Sequence, residues 1–418
     1  MAYPHMKHDF FHVISPAQFS KLLRNFSPVE TTTLPLEEAF DRIMAETIIA
    51  PENLPLVNRS SMDGYAVRAA DVFGASESNP AYLENMADLK IDELSKVILP
   101  HGSCMGITTG GTLPENADSV VMIEYSQELG SGTIEIRKSV APGENVMLKG
   151  EDVALGQPVL IRGDRLRAQE IGILAALGIT SLTVFRQPKA AIISTGDELV
   201  PIHATPRPGQ VRDVNSSTLA CLLQENHSTP ATYGLIKDDL SSITSALATA
   251  LQANDAVFIS GGSSVGIRDL TIEAILSLPD AEILAHGVSV SPGKPTILAT
   301  VKGKPVMGLP GQVTSAQVIM LLFGCPLMRH LGGDVRAFDT SRRPRIPAQL
   351  TANVSSRQGR EDYIRVGLEF STDHSVLAVP KKGKSGLLRT LVQCDGLVRI
   401  PAESEGLIAG SHVTVWMI

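Results

Sequence analysis

The chain has 418 residues, with 36 Lys and Arg against 44 Asp and Glu and a formal net charge of −8 at pH 7. That acidic balance argues against a phosphate-backbone partner, and an aromatic content of 4% argues against a base-stacking platform. With 43% hydrophobic and 19% charged residues the composition is that of a globular protein, long enough for about three domains.

The first dozen residues hold His5, His8 and His12, which read as a solvated tail more simply than as a metal-binding leader. MAYPHMKHDFF has no basic stretch followed by an apolar core, so no secretory signal is expected. Ser15 before Pro16 reads as a helix N-cap. A helical pattern is expected to run to Ala50, with Leu36, Ala39, Phe40, Ile43 and Met44 on one face. Residues 55–140 alternate short apolar runs (Ile98–Leu99, Ser119–Met122, Thr133–Ile136) with Gly, Pro and Asn, as a small β-rich unit does. Residues 141–186 begin turn-rich and continue into a helix, RAQEIGILAALGI, stopped by Gly178. The β-rich unit is therefore expected as an insertion between two pieces, 15–54 and 141–186, of one helical or linker domain.

From 187 to 335 the rhythm is strand, loop, helix. AAIIST, TYGLI and AVFIS read as strands, and residues 216–226, Ile243–Leu251, Leu270–Leu278 and Thr314–Leu331 as helices. This predicts a parallel, doubly wound α/β domain. Residues 340–418, with VRI and HVTVW, predict a C-terminal β domain, so the fold class is multidomain, α/β and β. The longest apolar run, Val318–Met328, is too short to span a bilayer and is broken by Gly324, Cys325 and Pro326. The cysteines, Cys104, Cys221, Cys325 and Cys394, show no metal or redox spacing. A cytoplasmic protein with neither membrane nor nucleic acid as partner is expected.

Ligands of an open α/β sheet bind beyond the carboxyl ends of its strands. There the sequence has TGDE (Thr195–Glu198), KDD (Lys237–Asp239), SGGSSVGIRD (Ser260–Asp269), SPGKP (Ser291–Pro295) and GLPG (Gly308–Gly311). Gly261, Gly262, Ser263 and Ser264 open a strand-to-helix turn. Its free N–H groups can cradle a phosphate, although the segment also reads as a plain tight turn and lacks Walker or dinucleotide spacing. Glu198, Asp238 and Asp269 share that rim, where carboxylates beside a phosphate call for a divalent cation such as Mg2+ between them. Asp238 and Asp269 read equally well as helix N-caps. Lys294, on a stiff turn between Gly293 and Pro295, can hold an anion or simply be solvated. In the β-rich unit, NRSSMDGYAV (Asn58–Val67) gathers Ser60, Ser61 and Asp63 before Gly64, and TTGGTLP (Thr108–Pro114) is a second small polar loop.

SSMDGYAV, TTGGTLPENADSVVMIE, GENVMLKGED, STGDELV, GQVRDVNSS, GLIKDD, SGGSSVGIRD and SPGKP occur in one order along most of the chain. Together with GLLRTLVQCDGLVRIPAESEGLIAGSHVTVW they resemble the molybdopterin molybdenumtransferase family, MoeA in bacteria, which is similar to the E domain of gephyrin. The resemblance implies a four-domain subunit in a homodimer, with a molybdopterin-binding α/β domain. It implies insertion of molybdate into adenylylated molybdopterin with release of AMP, a requirement for Mg2+, and molybdopterin adenylyltransferase as a candidate partner. The site is expected between the α/β domain of one subunit and the SSMDGYAV domain of the other. Asp63, Thr109, Glu198, Asp238 and Asp269 are the implied catalytic residues, with Glu198, Asp238 and Asp269 the metal ligands. Gly261, Gly262, Ser263, Ser264, Lys294 and Ser385 are the implied substrate-binding residues.

The chain departs from the family pattern where anion contacts are concerned. Ser291 stands where many members carry a lysine before PGKP, Gly287 where some carry another, and Gly106 where an arginine is often found. GLPGQVTSA replaces GLPGNPVSA at Gly308–Ala316. Molybdate and tungstate have nearly the same size and charge, so both remain candidate anions. Two rival functions stay open: molybdopterin adenylyltransferase, which shares the α/β fold, and a non-catalytic molybdopterin-binding carrier or scaffold.

Overall fold

The computed structural model describes residues 13–91, 98–261, 265–372 and 375–418, and for 265–269 the backbone alone. The helix expected from Ser15 to Ala50 is confined to Pro16–Leu23, where the Ser15 hydroxyl accepts the Gln18 N–H at 3.2 Å. Thr31–Thr33 are β-branched and Pro35 follows, so Thr31–Pro35 is a strand, antiparallel to Ser181–Phe185. Leu36–Glu38 forms a single tight 3-10 turn, Asp41 takes a left-handed φ of 67°, and Phe40 faces solvent.

Ile48–Ile49 pairs with Pro158–Leu160, and Leu174 of the helix Ala168–Ala176 packs with Leu36, Met44, Leu166 and Leu182. Between these paired segments the chain builds a six-stranded sheet. Its order is Ser119–Met122, Gly64–Val67, Ser103–Ile107, Ala81–Asp88, Thr133–Ile136 and Ser126–Glu128. Val67, Leu83, Cys104, Val121, Ile134 and Ile136 fill its core. At Gly64 the φ is 154°, and a Cβ would lie 1.9 Å from the Val121 carbonyl oxygen, so only glycine fits the MDGY turn.

The α/β domain is built on a six-stranded sheet of β1 (Lys189–Thr195), β2 (Thr229–Ile236), β3 (Ala256–Ser260), β4 (Ala281–His286), β5 (Ile297–Val301) and β6 (Lys304–Leu309). Its helices are α1 (Asn215–Glu225), α2 (Leu240–Ala253), α3 (Val265–Leu276), α4 (Val313–Ile319) and α5 (Cys325–Leu331). The strand order is β2-β1-β3-β6-β5-β4. The neighbours β2, β1, β3 and β6 are parallel, but β5 runs antiparallel to both β6 and β4, so the sheet is mixed rather than wholly parallel. Order reverses between β1 and β3, which makes their carboxyl ends the topological switch point.

Alternation along β1 builds a layer on each face of the sheet. Ala190 and Ile192 face Leu219 and Leu223 of α1, while Ala191 and Ile193 face Ile243 and Leu247 of α2 and Ile275 of α3. Phe19, Leu23 and Phe26 from the N-terminal segment belong to the first of these cores, and the Phe19 and Phe323 rings lie 4.7 Å apart. Between α4 and α5 the helix widens into a π turn, Met320–Gly324. Pro326 offers no N–H to that turn, and the looser winding accommodates the missing bond. Among the described residues no helix is long and apolar enough to cross a membrane.

In the C-terminal domain Glu361–Phe370, Val376–Pro380, Arg345–Leu350, His412–Met417 and Gly396–Ile400 pair in that order. Gly396–Ile400 then returns to Glu361–Phe370, so the sheet closes into a five-stranded barrel. The short strand Val290–Ser291, arriving from the α/β domain, adds alongside Glu361–Asp362.

Candidate functional site

β1 ends at Thr195, and after the buried Gly196 the exposed Asp197 and Glu198 turn beyond the sheet. β2 ends at Ile236 and delivers Asp238 to the same rim. The Asp197 N–H donates to Asp238 Oδ2 at 3.3 Å, and the Asp238 N–H donates to Asp197 Oδ1 at 3.4 Å. The Glu198 carboxylate lies back against Gly196. Asp238 is pushed above the ordinary aspartate range, first by burial and then by the negative charges of Asp197 and Glu198. Its Oδ1 and the Thr195 hydroxyl oxygen are both buried, and apart from a weak contact with the Thr195 side chain, which works against the rise, Oδ1 has no hydrogen-bond partner. A carboxylate crowded by two others, with an acceptor oxygen turned inward, is a ready ligand for a cation.

Asp238 caps no helix. The cap of α2 is Asp239, whose carboxylate accepts the Ser242 N–H at 2.9 Å. Asp269 is not a cap either: it lies in the second turn of α3, four residues beyond Val265. Gly262, Ser263 and Ser264 lie outside the described residues, as does the Asp269 side chain. Among the described residues no group of three or more His, Cys, Asp or Glu side chains is close enough to hold a metal ion.

Gly261 turns with a φ of 156°, and a Cβ there would lie 2.2 Å from both the carbonyl and the hydroxyl oxygen of Thr195. Gly261 also lines a cavity of about 230 Å³ beyond β3, walled further by Ile297, Gly308, Pro310, Gly311 and Ser315. The cavity lies next to the switch point, beyond the carboxyl ends of β3 and β6, at the end of the sheet where ligands of such folds bind.

Lys294 is exposed on its turn, and its carbonyl accepts the Val288 N–H at 3.0 Å. Ser385 lies in a different place, a cleft of about 430 Å³ between the α/β domain and the barrel. Ser291, Arg360, Arg365, Lys381 and Lys382 line the same cleft, against the single carboxylate of Asp362. The Arg365 guanidinium is aimed by the Thr390 hydroxyl at 2.6 Å and the Gly383 carbonyl at 2.8 Å, and burial lowers its pKa. Asp362 is 4% exposed and bonded by the Ser356 hydroxyl at 2.6 Å, so the lining carries a net positive charge suited to an oxyanion.

In the inserted sheet the two polar loops meet. Asp63 Oδ1 accepts the Thr109 N–H at 2.6 Å and the Thr109 hydroxyl at 3.0 Å, and these bonds hold its carboxyl below the ordinary range. Ser60 exchanges backbone bonds with the same loop, donating to Gly111 and accepting from Gly110. Asp63 and Thr109 are exposed and belong to a different sheet from Asp238.

Asp197, Arg365, Lys381 and Lys382 were not singled out from sequence. Asp197 was within reach as the neighbour of Glu198 in TGDE. Arg365 looks like any polar residue of a strand, and only the docking of Val290–Ser291 on Glu361–Asp362 brings it opposite Ser291.

Comparison with known proteins follows the same division of the chain. Residues 14–178 match the MoeA N-terminal region (domain I and II), residues 191–330 a probable molybdopterin binding domain, and residues 347–418 the MoeA C-terminal region (domain IV). A putative molybdopterin biosynthesis protein of Methanocaldococcus jannaschii is 36% identical, over 91% of this chain and 90% of that protein. A molybdopterin molybdenumtransferase of Staphylococcus aureus is 30% identical, over 94% of this chain and 93% of its own. The crystal structure of a molybdopterin biosynthesis MoeA protein from Pyrococcus horikoshii superposes with a TM-score of 0.79 at 36% identity, covering 97% of this chain and 99% of that one.

Proposed function

The chain belongs to the MoeA family of molybdopterin molybdenumtransferases, transferases of molybdenum cofactor biosynthesis, and from that premise we propose how its residues divide the reaction. The substrate is adenylylated molybdopterin, supplied by molybdopterin adenylyltransferase, and the product is the molybdenum-loaded pterin with AMP released in the cytoplasm. The observation that carries this reading is the buried Asp238 Oδ1, crowded by Asp197 and Glu198, at the same end of the sheet as the cavity beyond Gly261.

The pterin occupies the cavity beyond β3, with its phosphate toward Gly261, Gly262, Ser263 and Ser264 and the N-terminal end of α3. Lys294, exposed on its turn, adds positive charge to the phosphate side. Glu198 and Asp238 would hold a magnesium ion, with Asp269 of α3 a further candidate ligand, because magnesium takes one or two carboxylates and completes its shell with phosphate oxygens and water. When bound it neutralises charge on the phosphates of the adenylyl linkage. Asp238, buried and raised, is held neutral more readily than an ordinary aspartate until a cation arrives. Molybdate enters the cationic cleft, where Arg365 offers a fixed planar fork, Lys381 and Lys382 add charge, and Ser291 and Ser385 add hydroxyls. Tungstate fits the same description. In a homodimer Asp63 and Thr109 of the partner subunit close the site; their mutual bonds keep the Asp63 carboxylate ionised and oriented.

The test is AMP release by the purified protein given adenylylated molybdopterin, Mg2+ and molybdate. Release that depends on molybdate supports the transferase. Tight binding without release supports a carrier, and formation of the adenylylated pterin from ATP supports an adenylyltransferase.

A further inference from the structure

The carboxyl ends of β1, β3 and β6 are joined by one short polar turn that no role so far described uses. The ladder between β1 and β3 ends with Ser194 opposite Ser260, and that between β3 and β6 ends with Ser260 opposite Leu309. Beyond those pairs the strands would be free to diverge, since Gly261 turns away with a φ of 156° and Pro310 has no N–H to continue the ladder.

Asp213 and Asn215, both 7% exposed, stand across this gap. Asp213 Oδ1 accepts the Ser194 hydroxyl at 3.1 Å and the Ser216 N–H at 3.1 Å, which fixes the start of α1 to the end of β1. Asn215 Nδ2 donates to the Ser260 hydroxyl oxygen and to the Gly311 carbonyl, the latter at 2.9 Å. The Gly311 carbonyl only accepts, so the amide must present its nitrogen there. Asn215 Oδ1 is buried and receives no hydrogen bond, so the donor side alone sets its orientation. Gly261, next to Ser260, and Gly311 both line the cavity beyond β3. One amide therefore bridges the strand ends where the ladder stops at Pro310, and it sets the distance between the two walls.

We infer that Asn215 is a positioning residue for molybdopterin, holding the Gly261 and Gly311 walls at the spacing the pterin requires. The inference rests on the reading of that cavity as the pterin site. It predicts an effect on pterin affinity alone, because neither the acidic rim nor the cationic cleft is bonded to Asn215.

The test compares Asn215→Asp, which keeps the side-chain volume but exchanges the donor for an acceptor, with Ser260→Ala, which removes only the β3 contact. In Asn215→Asp the KM for adenylylated molybdopterin should rise about tenfold, with kcat and the KM for molybdate close to wild type. Ser260→Ala should shift the same KM in the same direction by less. Wild-type KM in both folded variants overturns the inference, as does a fall in kcat at unchanged KM. If Asn215→Asp does not fold, a Ser260→Ala protein with unaltered pterin KM overturns it. Should the wild-type protein release no AMP, it is the proposed reaction that fails. Fluorescence titration of the same variants with molybdopterin then decides the clamp separately, weakened binding supporting it and equal binding overturning it.

Discussion

Asp238 and Asp239 are consecutive in the chain, yet their carboxyl groups shift in opposite directions. Asp239 is held below the ordinary range by hydrogen bonds from Ser242 at the start of α2, whereas Asp238 is raised by burial and by the charges of Asp197 and Glu198. One carboxylate serves the helix, and the other is left for something outside the chain.

The first prediction separates the two. Asp238→Asn should abolish AMP release without lowering the thermal midpoint at neutral pH, because it removes a crowded charge. Asp239→Ala should lower the midpoint through the lost cap and leave turnover within about twofold. Thermal melts and AMP assays on both variants check this, and the reverse pattern would reassign the two residues.

The second concerns pH and magnesium. Asp238 has a raised folded pKa, so its ionised form counts against folding. The penalty is absent below the ordinary aspartate range and grows as pH rises through the raised folded value. A cation at this site offsets it. Mg2+ should therefore raise the thermal midpoint of the wild-type protein at neutral pH, much less in acid, and not in Asp238→Asn. A midpoint rise of equal size in the variant would mean that the ion binds elsewhere.

The third uses the position of Asp269 inside α3. Since it caps nothing, Asp269→Asn and Asp269→Ala should both keep the thermal midpoint while raising the Mg2+ concentration needed for AMP release. Wild-type magnesium dependence in Asp269→Asn would remove this residue from the metal site.

The fourth addresses Ser291 in the cationic cleft. Ser291→Lys adds a charge-assisted contact, a gain of about 1.5–3 kcal/mol where the group is well placed. Molybdate should bind at least about tenfold more tightly, with adenylylated molybdopterin unaffected. Equal molybdate affinity, measured by calorimetry, would place the anion elsewhere.

The fifth tests a site shared between subunits. Asp63→Ala and Asp269→Ala proteins, each inactive alone at a magnesium concentration that just saturates the wild type, should recover about a quarter of wild-type activity when exchanged into mixed dimers, because half the dimers are mixed and each has one intact site. Absence of recovery after demonstrated exchange would count against a composite site.

Much of this architecture could be read in advance because strand-end loops advertise themselves. Thr195–Glu198 and Lys237–Asp239 each interrupt an apolar run with carboxylates, and the structure carries both to one rim. Other elements gave no such signal. β5 is buried on both faces along most of its length, so it has no period-two pattern to reveal an antiparallel strand. Leu36, Ala39, Ile43 and Met44 have helical spacing but lie in a 3-10 turn and two isolated bridges, where packing against Leu166 and Leu182 outweighs local preference. The cationic cleft escaped notice because its walls, Ser291 and Arg365, are distant in sequence and meet through a two-residue strand pairing.

The way the inserted sheet is spliced into its neighbour has a consequence for synthesis on the ribosome. The chain departs near Ala50 and returns near Gln157, whose carbonyl receives the Ala50 N–H at 2.9 Å. Every strand of the inserted sheet has been made once Ile136 emerges. The flanking core must wait for Leu182 and Val184, and the N-terminal helix waits longer still, for Phe323. The segments translated first are thus among the last to find their packing partners, and the nascent chain carries them unpaired while the part between them is already complete.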